Sequence, residues 1–366
     1  MKNWRIGKNI LCAEGDYLVQ SFLAVNEIRE DGGFRIWYSQ YSLTEKRYRF
    51  GYLDTDEELN ILDNTIMQIS SAPQKKGLHI LGVPAHWQLI QPVHIRLDEK
   101  RERLYFWAHG DEGVCRFFAA DSTDGINFQV PDFHRPCLYH PNDRAVPLEE
   151  LKHKQLTPYC NRYAPADPDE PTVSAEMLMN DATNVYRLAD GSFELYSAQV
   201  CMRSAASGKK VPQDPLLRTV QRRTSADGIH WSKPQTVVQP DAEDAFDLQF
   251  YHLSVTHTPK GRIGMLGHYR SDPGTMDVEF CFSQDGITWK RERVPGFPRL
   301  EGVAGVYTPH SLLKKGDKYL MFYTGYAINH HGQFIAGVAP DTPKSWIGCA
   351  EIPCADIKTL IDLLNK

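Results

Sequence analysis

The amino-acid sequence predicts an all-β chain: a five-bladed β-propeller, with four-stranded antiparallel blades around a central channel and a short C-terminal helix. Three observations carry this prediction. A turn signature recurs at Ser122-Thr-Asp124-Gly125-Ile-Asn-Phe128, Ser225-Ala-Asp227-Gly228-Ile-His-Trp231 and Ser283-Gln-Asp285-Gly286-Ile-Thr-Trp289. Ser and Asp side chains accept backbone N–H bonds, and Gly supplies a positive φ between two extended runs. An aromatic-rich strand stands upstream of each turn, preceded by another extended run. The whole order of strand, turn, strand, loop, strand and Asp-type turn returns five times. Four-stranded units repeating at this period fill a propeller, whereas a β-sandwich does not account for the same order returning.

Taken in order, residues 1–20 lead in, and either they or the C-terminal end must close the ring. The first blade covers about 21–70, with FRIWYSQY (34–41) as its second strand, and the second covers about 91–135, with RLYFWAH (103–109). Residues 131–175 hold eight prolines and little alternation. Irregular insertions of that length serve as lids, binding loops or docking arms for a homo-oligomer. The third blade covers about 181–240 (SFELYSA, 192–198), the fourth 251–297 (RIGMLGHY, 262–269) and the fifth 307–350 (YLMFYTGY, 319–326, then QFIAGVAPDTPKSW, 333–346). Ile357, Leu360, Ile361 and Leu364 have the spacing of a short amphipathic helix. One domain accounts for residues 1–366.

Composition excludes several partners. The chain has 366 residues, 42% apolar, with a net charge of −5. This balance favours neither nucleic acid nor an anionic membrane, and no apolar run is long enough to span a bilayer. The opening residues lack an apolar signal core and a small-residue cleavage site, so a cytoplasmic location is expected. The eight cysteines form no Cys-x-x-Cys pair and read as reduced core residues.

In a propeller the innermost strands line the channel, and their starts open on one face with the loops from second to third strands. The predicted inner-strand starts are His94, Asp181 with Asn184, Tyr251 with His252, and Thr308 with His310; the first blade offers Asp16 or Gln20. The loops carry His109, Arg203, His268, Arg270, His330 and His331, and the links between blades carry Asp247 and Glu301. Seven of the fourteen histidines fall in these few positions, which a plain structural ring does not need. Singly, His252 and His310 read best as hydrogen-bonded core residues. With His94 they could ring a metal or a water at the axis, making Ca2+ or another divalent cation a candidate occupant of the central channel. Trp87 and Tyr326 are sugar-stacking platforms or packing.

The five units, the S-x-D-G-x-x-W turns and the acidic strand starts resemble the five-bladed propeller glycosidases, the group of arabinanases, β-xylosidases, invertases and levansucrases. The segments DATNV (181–185), RTVQRRTSADGIHW (218–231) and DAFDLQFYHLSV (244–255) are similar to propeller proteins of bacterial carbohydrate loci. The resemblance covers nearly the whole chain and is architectural. Invertase motifs are absent, the nearest being Ser271-Asp272-Pro273. An arabinanase-like site wants an Asp in the second blade, where His94 stands. The resemblance implies a glycoside hydrolase acting through two carboxylates on a small oligosaccharide or glycoside, with no cofactor required. The best pair is Asp181 and Asp247, with Glu301 and Asp16 as substitutes. His94, Asn184, Tyr251, His252, His310 and His331 would bind hydroxyls or tune a pKa, and Arg203 and Arg270 would hold an anionic group or a hydroxyl pair. A sugar lyase, a phosphorylase and a non-catalytic carbohydrate-binding propeller are the alternatives.

Overall fold

The structure is a computed structural model that describes residues 2–110, 115–139, 173–203, 216–339 and 341–365. The described residues are mostly β, with one short helix near the C-terminal end. The strands are β1 (Arg5–Cys12); β2 (Tyr17–Ile28), β3 (Phe34–Ser42), β4 (Arg47–Thr55) and β5 (Ile61–Ile66); β6 (Gln68–Ser70) and β7 (His79–Leu81). Next come β8 (Gln88–Arg96), β9 (Glu102–His109), β10 (Cys115–Ser122), β11 (Asn127–Gln129) and β12 (Leu138–Tyr139), then β13 (Val173–Arg187), β14 (Phe193–Arg203), β15 (Leu216–Ser225) and β16 (Gln235–Val238). The last are β17 (Leu248–Thr258), β18 (Gly261–Arg270), β19 (Thr275–Ser283), β20 (Lys290–Pro295), β21 (Gly305–Tyr307), β22 (Leu313–Lys315), β23 (Lys318–Tyr326) and β24 (Ser345–Pro353), followed by α1 (Cys354–Leu364).

These pair as five antiparallel units: β2–β5, β8–β11, β13–β16, β17–β20, and β21/β22–β23–β24–β1. Alternating burial along the strands explains the register. In β3 the apolar Phe34, Ile36 and Tyr38 point to one face and Trp37 to the other, and both faces are covered by neighbouring units. The first strands touch in succession, β2 with β8, β8 with β13 and β13 with β17. Thr308 hydrogen-bonds Ser254 of β17 at 2.7 Å, and His310 N–H donates to Leu23 O of β2. Contact therefore passes from unit to unit and returns to the first.

The fifth unit departs from the sequence reading. The described residues 333–339 and 341–344, with Gly337 and Pro343, form no named strand, and the third strand is β24. The fourth is β1, which pairs with β24 from Arg5↔Glu351 to Cys12↔Trp346. The lead-in segment thus completes the fifth unit. The helix is as expected, with Ile357, Leu360 and Ile361 buried against β19 and β24. The six cysteines whose side chains are described are all free thiols, four of them buried.

The recurring turn clasps one unit to the next. In all three copies the Asp Oδ1 accepts the N–H groups of the two residues after the Gly at 2.8–2.9 Å, and the Ser hydroxyl accepts the Gly N–H. The N–H donors of Thr288 and Ile287 hold the Asp285 carboxyl at about 2. The second and third copies then meet the preceding unit. Arg103 donates to Asp227 O at 2.7 Å, and Tyr196 Oη donates to Gly286 O at 3.3 Å. Trp231 stands edge-on to Tyr105 at 6.5 Å and Trp289 to Tyr196 at 5.9 Å.

Beneath the Gly286 turn, Glu194 of β14 is fully buried. It is paired with Arg222 of its own unit (3.0 Å) and with His257 (2.6 Å) and Arg262 (2.8 Å) of the next. Burial alone would raise its pKa; the hydrogen bonds and charges of His257 and Arg262 overcome this and hold it at about 2. The unfolded chain therefore takes up the proton first. The stabilisation is full above about pH 4.5 and is lost as pH falls toward 2. Glu194→Gln is expected to lower the urea midpoint at pH 7 and to flatten its dependence between pH 5 and 2.5. An unchanged slope would assign the acid sensitivity to other groups.

Candidate functional site

The four complete inner strands share one irregularity. In β8, Ile90 pairs with Trp107 but Val93 with Tyr105, so three steps answer two. The same excess falls between Asn180 and Thr183 of β13 and between Phe250 and Leu253 of β17. In β2 the excess is two residues, between Gln20 and Ala24. The inner strand of the fifth unit breaks at the corresponding place, between Tyr307 and Leu313. A bulge bends its strand and re-aims the residues that make it. The residues so placed are Gln91 and Pro92, Asp181 and Ala182, Tyr251 and His252, and, at the break, Thr308. These inner strands begin earlier than the sequence reading has it, and it is the bulges that mark Asp181 and Tyr251.

Gln91 was missed. The position in the second unit belongs to it and not to His94, and its signal was the Gln-Pro step inside a strand, since proline cannot donate to a ladder. His94 lies further along β8 and is buried, donating from Nε2 to Glu102 at 2.6 Å and stacked on Trp37 at 5.2 Å. The hydrogen bond and charge of His94 hold the Glu102 carboxyl low. Asn184 is buried and donates to Leu253 O at 3.0 Å, tying the third unit to the fourth. The side chains of Asp181 and Arg203, and residues 111–114 and 140–172 with most of the expected insertion, lie outside the described residues.

The fourth and fifth units interlock beside this position. Asp247 is fully buried, with Arg270 at 2.6 Å and the Asp272 N–H at 3.3 Å. Its carboxylate faces the loop after β18. That placement suits holding the loop better than meeting a ligand. His331 Nε2 donates to Ser271 O (3.0 Å), His330 N–H to Gly274 O (2.7 Å) and Asn329 to Pro273 O (3.1 Å). Gly274 has φ +68 and a Cβ there would lie 2.7 Å from the His331 ring, so the clasp needs glycine. On its inner side Tyr251 stands edge-on to Tyr269 (5.6 Å), Tyr307 (5.7 Å) and His330 (5.3 Å), with the Arg218 guanidinium 4.5 Å from its ring. Tyr326 stands edge-on to Tyr307 and donates to Val19 O at 2.8 Å. Trp87 is buried in the core between the first two units.

Two histidines lie deeper. His252 is fully buried over Gly267 and hydrogen-bonds Thr308 at 3.2 Å; burial pushes its pKa down to about 3, so it is neutral. His310 reaches from the fifth unit to the third. Its Nε2–H donates to Val185 O at 2.6 Å, and its ring stacks on Tyr186 at 4.2 Å. Tyr186 Oη donates to His310 O and accepts from Val255 N–H, both at 2.7 Å. Burial pushes the His310 pKa down to about 4, so this crosslink is made by a neutral imidazole. His94, His252 and His310 therefore point to separate partners. Among the described residues no three of His, Cys, Asp and Glu stand together as a metal site.

The two remaining carboxylates stand apart. Asp16 accepts from Ser42 Oγ and from Thr44 N–H and Oγ1 at 2.5–2.6 Å, which hold its pKa low and close the turn between β3 and β4. Glu301 is exposed on the link before β21. The bulges thus fall at Gln91, Asp181 and Tyr251, and the break of the fifth inner strand at Thr308. Asp247 and His331 support the wall beside them, and Asp16 and Glu301 are not brought in.

Neither a family model nor a curated sequence matches the chain. Solved structures do match in fold. A thermostable family-43 glycoside hydrolase is 12% identical, with a TM-score of 0.55 over 91% of this chain and 89% of that one. The GH43_1 enzyme from Xanthomonas citri complexed with xylotriose is 11% identical, with a TM-score of 0.53 over 93% and 89%. The β-1,2-mannobiose phosphorylase from Listeria innocua, in complex with β-1,2-mannobiose, is 9% identical, with a TM-score of 0.57 over 99% of both chains. The chain is therefore similar in fold, over some nine-tenths of its length, to five-bladed propeller glycoside hydrolases and phosphorylases.

Proposed function

We propose that the five units close into a five-bladed propeller and that the chain is an enzyme cleaving a glycosidic bond of a small glycoside at the level of the bulges. The observation that carries this reading is the repeated bulge. It falls on a polar residue in three units, at Gln91, Asp181 and Tyr251, with Thr308 at the break in the fifth, and a pocket for a polyhydroxylated ligand needs several such groups. Asp181 is the carboxylate among those positions and serves as the proton donor to the leaving oxygen. Tyr251 and the wall of Tyr269, Tyr307 and His330 offer an apolar face with polar edges, which suits a sugar ring.

A two-carboxylate mechanism finds little support, because Asp247 is spent on Arg270 and the loop. With Asp181 the one carboxylate among the bulge positions, this reading takes the nucleophile to be an added molecule, either water or inorganic phosphate. The His330 imidazole and the Arg218 guanidinium beside Tyr251 favour phosphate as the second reading. The test is a screen of aryl furanosides and pyranosides, with and without phosphate and with and without Ca2+. Turnover that rises with phosphate and yields a sugar 1-phosphate identifies phosphorolysis, and turnover indifferent to it identifies hydrolysis. No turnover on any glycoside removes the reading.

A further inference from the structure

From the strained backbone and buried amide of Gln91, we infer that this residue is a hydroxyl-binding group for the glycan, the second unit's counterpart of Asp181 and Tyr251. This rests on the reading above for the identity of the ligand, but its evidence is separate. Gln91 is a non-glycine residue at φ +58, the left-handed region that side chains of its type rarely adopt. Its backbone N–H is held there by Ser39 Oγ at 2.9 Å, and Ser39 is itself fully buried on β3. Pro92 follows and contributes no N–H to the ladder. The conformation is thus fixed from two sides.

The side chain explains what the strain is for. Gln91 is 8% exposed, and its Oε1 is buried without a hydrogen-bond partner. An unsatisfied buried acceptor is destabilising, and folded chains retain few of them. The oxygen itself has no accessible surface, so the exposed part of Gln91 lies elsewhere on the residue, and a turn of the amide about its Cγ–Cδ bond is what brings the acceptor to a ligand's donor. The hydroxyl of a sugar supplies one, and because a hydroxyl both donates and accepts, it satisfies either end of the amide. The ligand class is a neutral polyol ring bearing a free hydroxyl toward the second unit. A deoxy or O-methyl analogue at that hydroxyl would leave the acceptor unpaired and be rejected.

The test is Gln91→Leu in the full chain, read by melting temperature and by sugar binding. We expect a melting temperature equal to or above that of the wild type, with KM for the best substrate of the screen raised about 3- to 10-fold, the factor of one neutral hydrogen bond. If the screen finds no substrate, calorimetric titration with xylotriose and β-1,2-mannobiose replaces KM. Binding by the wild type that weakens in the variant supports the inference and removes only the claim of cleavage. A fall in melting temperature of about 5 °C or more would show that the amide holds the fold together, and that overturns the inference. So does a variant of unchanged stability whose KM or affinity is also unchanged, or a wild type that neither turns over a glycoside nor binds either sugar.

Discussion

Asp181→Asn is expected to cut turnover of an alkyl glycoside by about 10²- to 10⁴-fold, or roughly 3–5 kcal/mol of barrier, while leaving the melting temperature within about 2 °C of the wild type. The amide keeps the size and shape of the carboxyl group and removes only the transferable proton. The loss should depend on the leaving group. An alkoxide needs protonation as it departs, whereas a nitrophenolate does not, so the defect should shrink on a 4-nitrophenyl glycoside. That contrast separates a proton donor from a residue that only orients the sugar, since a lost orienting contact costs both substrates alike. Equal loss on both would reassign Asp181 to binding.

Gly286→Val is expected to have the largest effect on stability. Gly286 has φ +78, and a Cβ there would lie 2.5 Å from Tyr196 Oη, 2.9 Å from Arg262 Nε and 3.1 Å from Arg222 Nε. Left-handed backbone with a branched side chain costs about 1–3 kcal/mol, and forcing apart packed neighbours costs a further 1–3. Two of these neighbours, Arg222 and Arg262, are partners of buried Glu194, so moving them also strains an ion-paired network. A fall in melting temperature of roughly 5–10 °C is expected for a chain of this size. Gly316→Val is the control, because it has φ +62 with open space around its Cβ. Similar losses at both positions would mean that backbone strain alone governs the turn, and that the clasp to the preceding unit contributes little.

The architecture was legible because it is written locally. Ser-x-Asp-Gly turns, aromatic second strands and the 3.6-residue spacing of α1 each show within a dozen residues, and they repeat. The closing strand was half legible: the need for closure followed from the count of units, but nothing within Arg5–Cys12 names β24 as its partner. The site was less legible still. A bulge is a difference in register between two strands, and Gln91 declares it only through the proline that follows. Burial of polar groups was the other loss. Asp247 reads as a free carboxylate until Arg270 is seen against it, and although His310 reads as a hydrogen-bonded core histidine, its acceptor, Val185 O, lies 125 residues away.

The pairing of β1 with β24 sets the order in which the molecule can be finished. Arg5 and Glu351 are partners 346 positions apart. At about 5–20 residues per second, a ribosome takes roughly 20–70 seconds to pass from one to the other. The first-made strand spends that interval with its edge unsatisfied while four other units assemble beside it. Its composition suits the wait: Arg5, Lys8 and Asn9 with Gly7 make a poor template for stray pairing, as charged edges do elsewhere. The slow event in refolding should then be the docking of this one strand. A chain released before Ser345 would carry an open fifth unit, a defect that quality control in the cell could read directly.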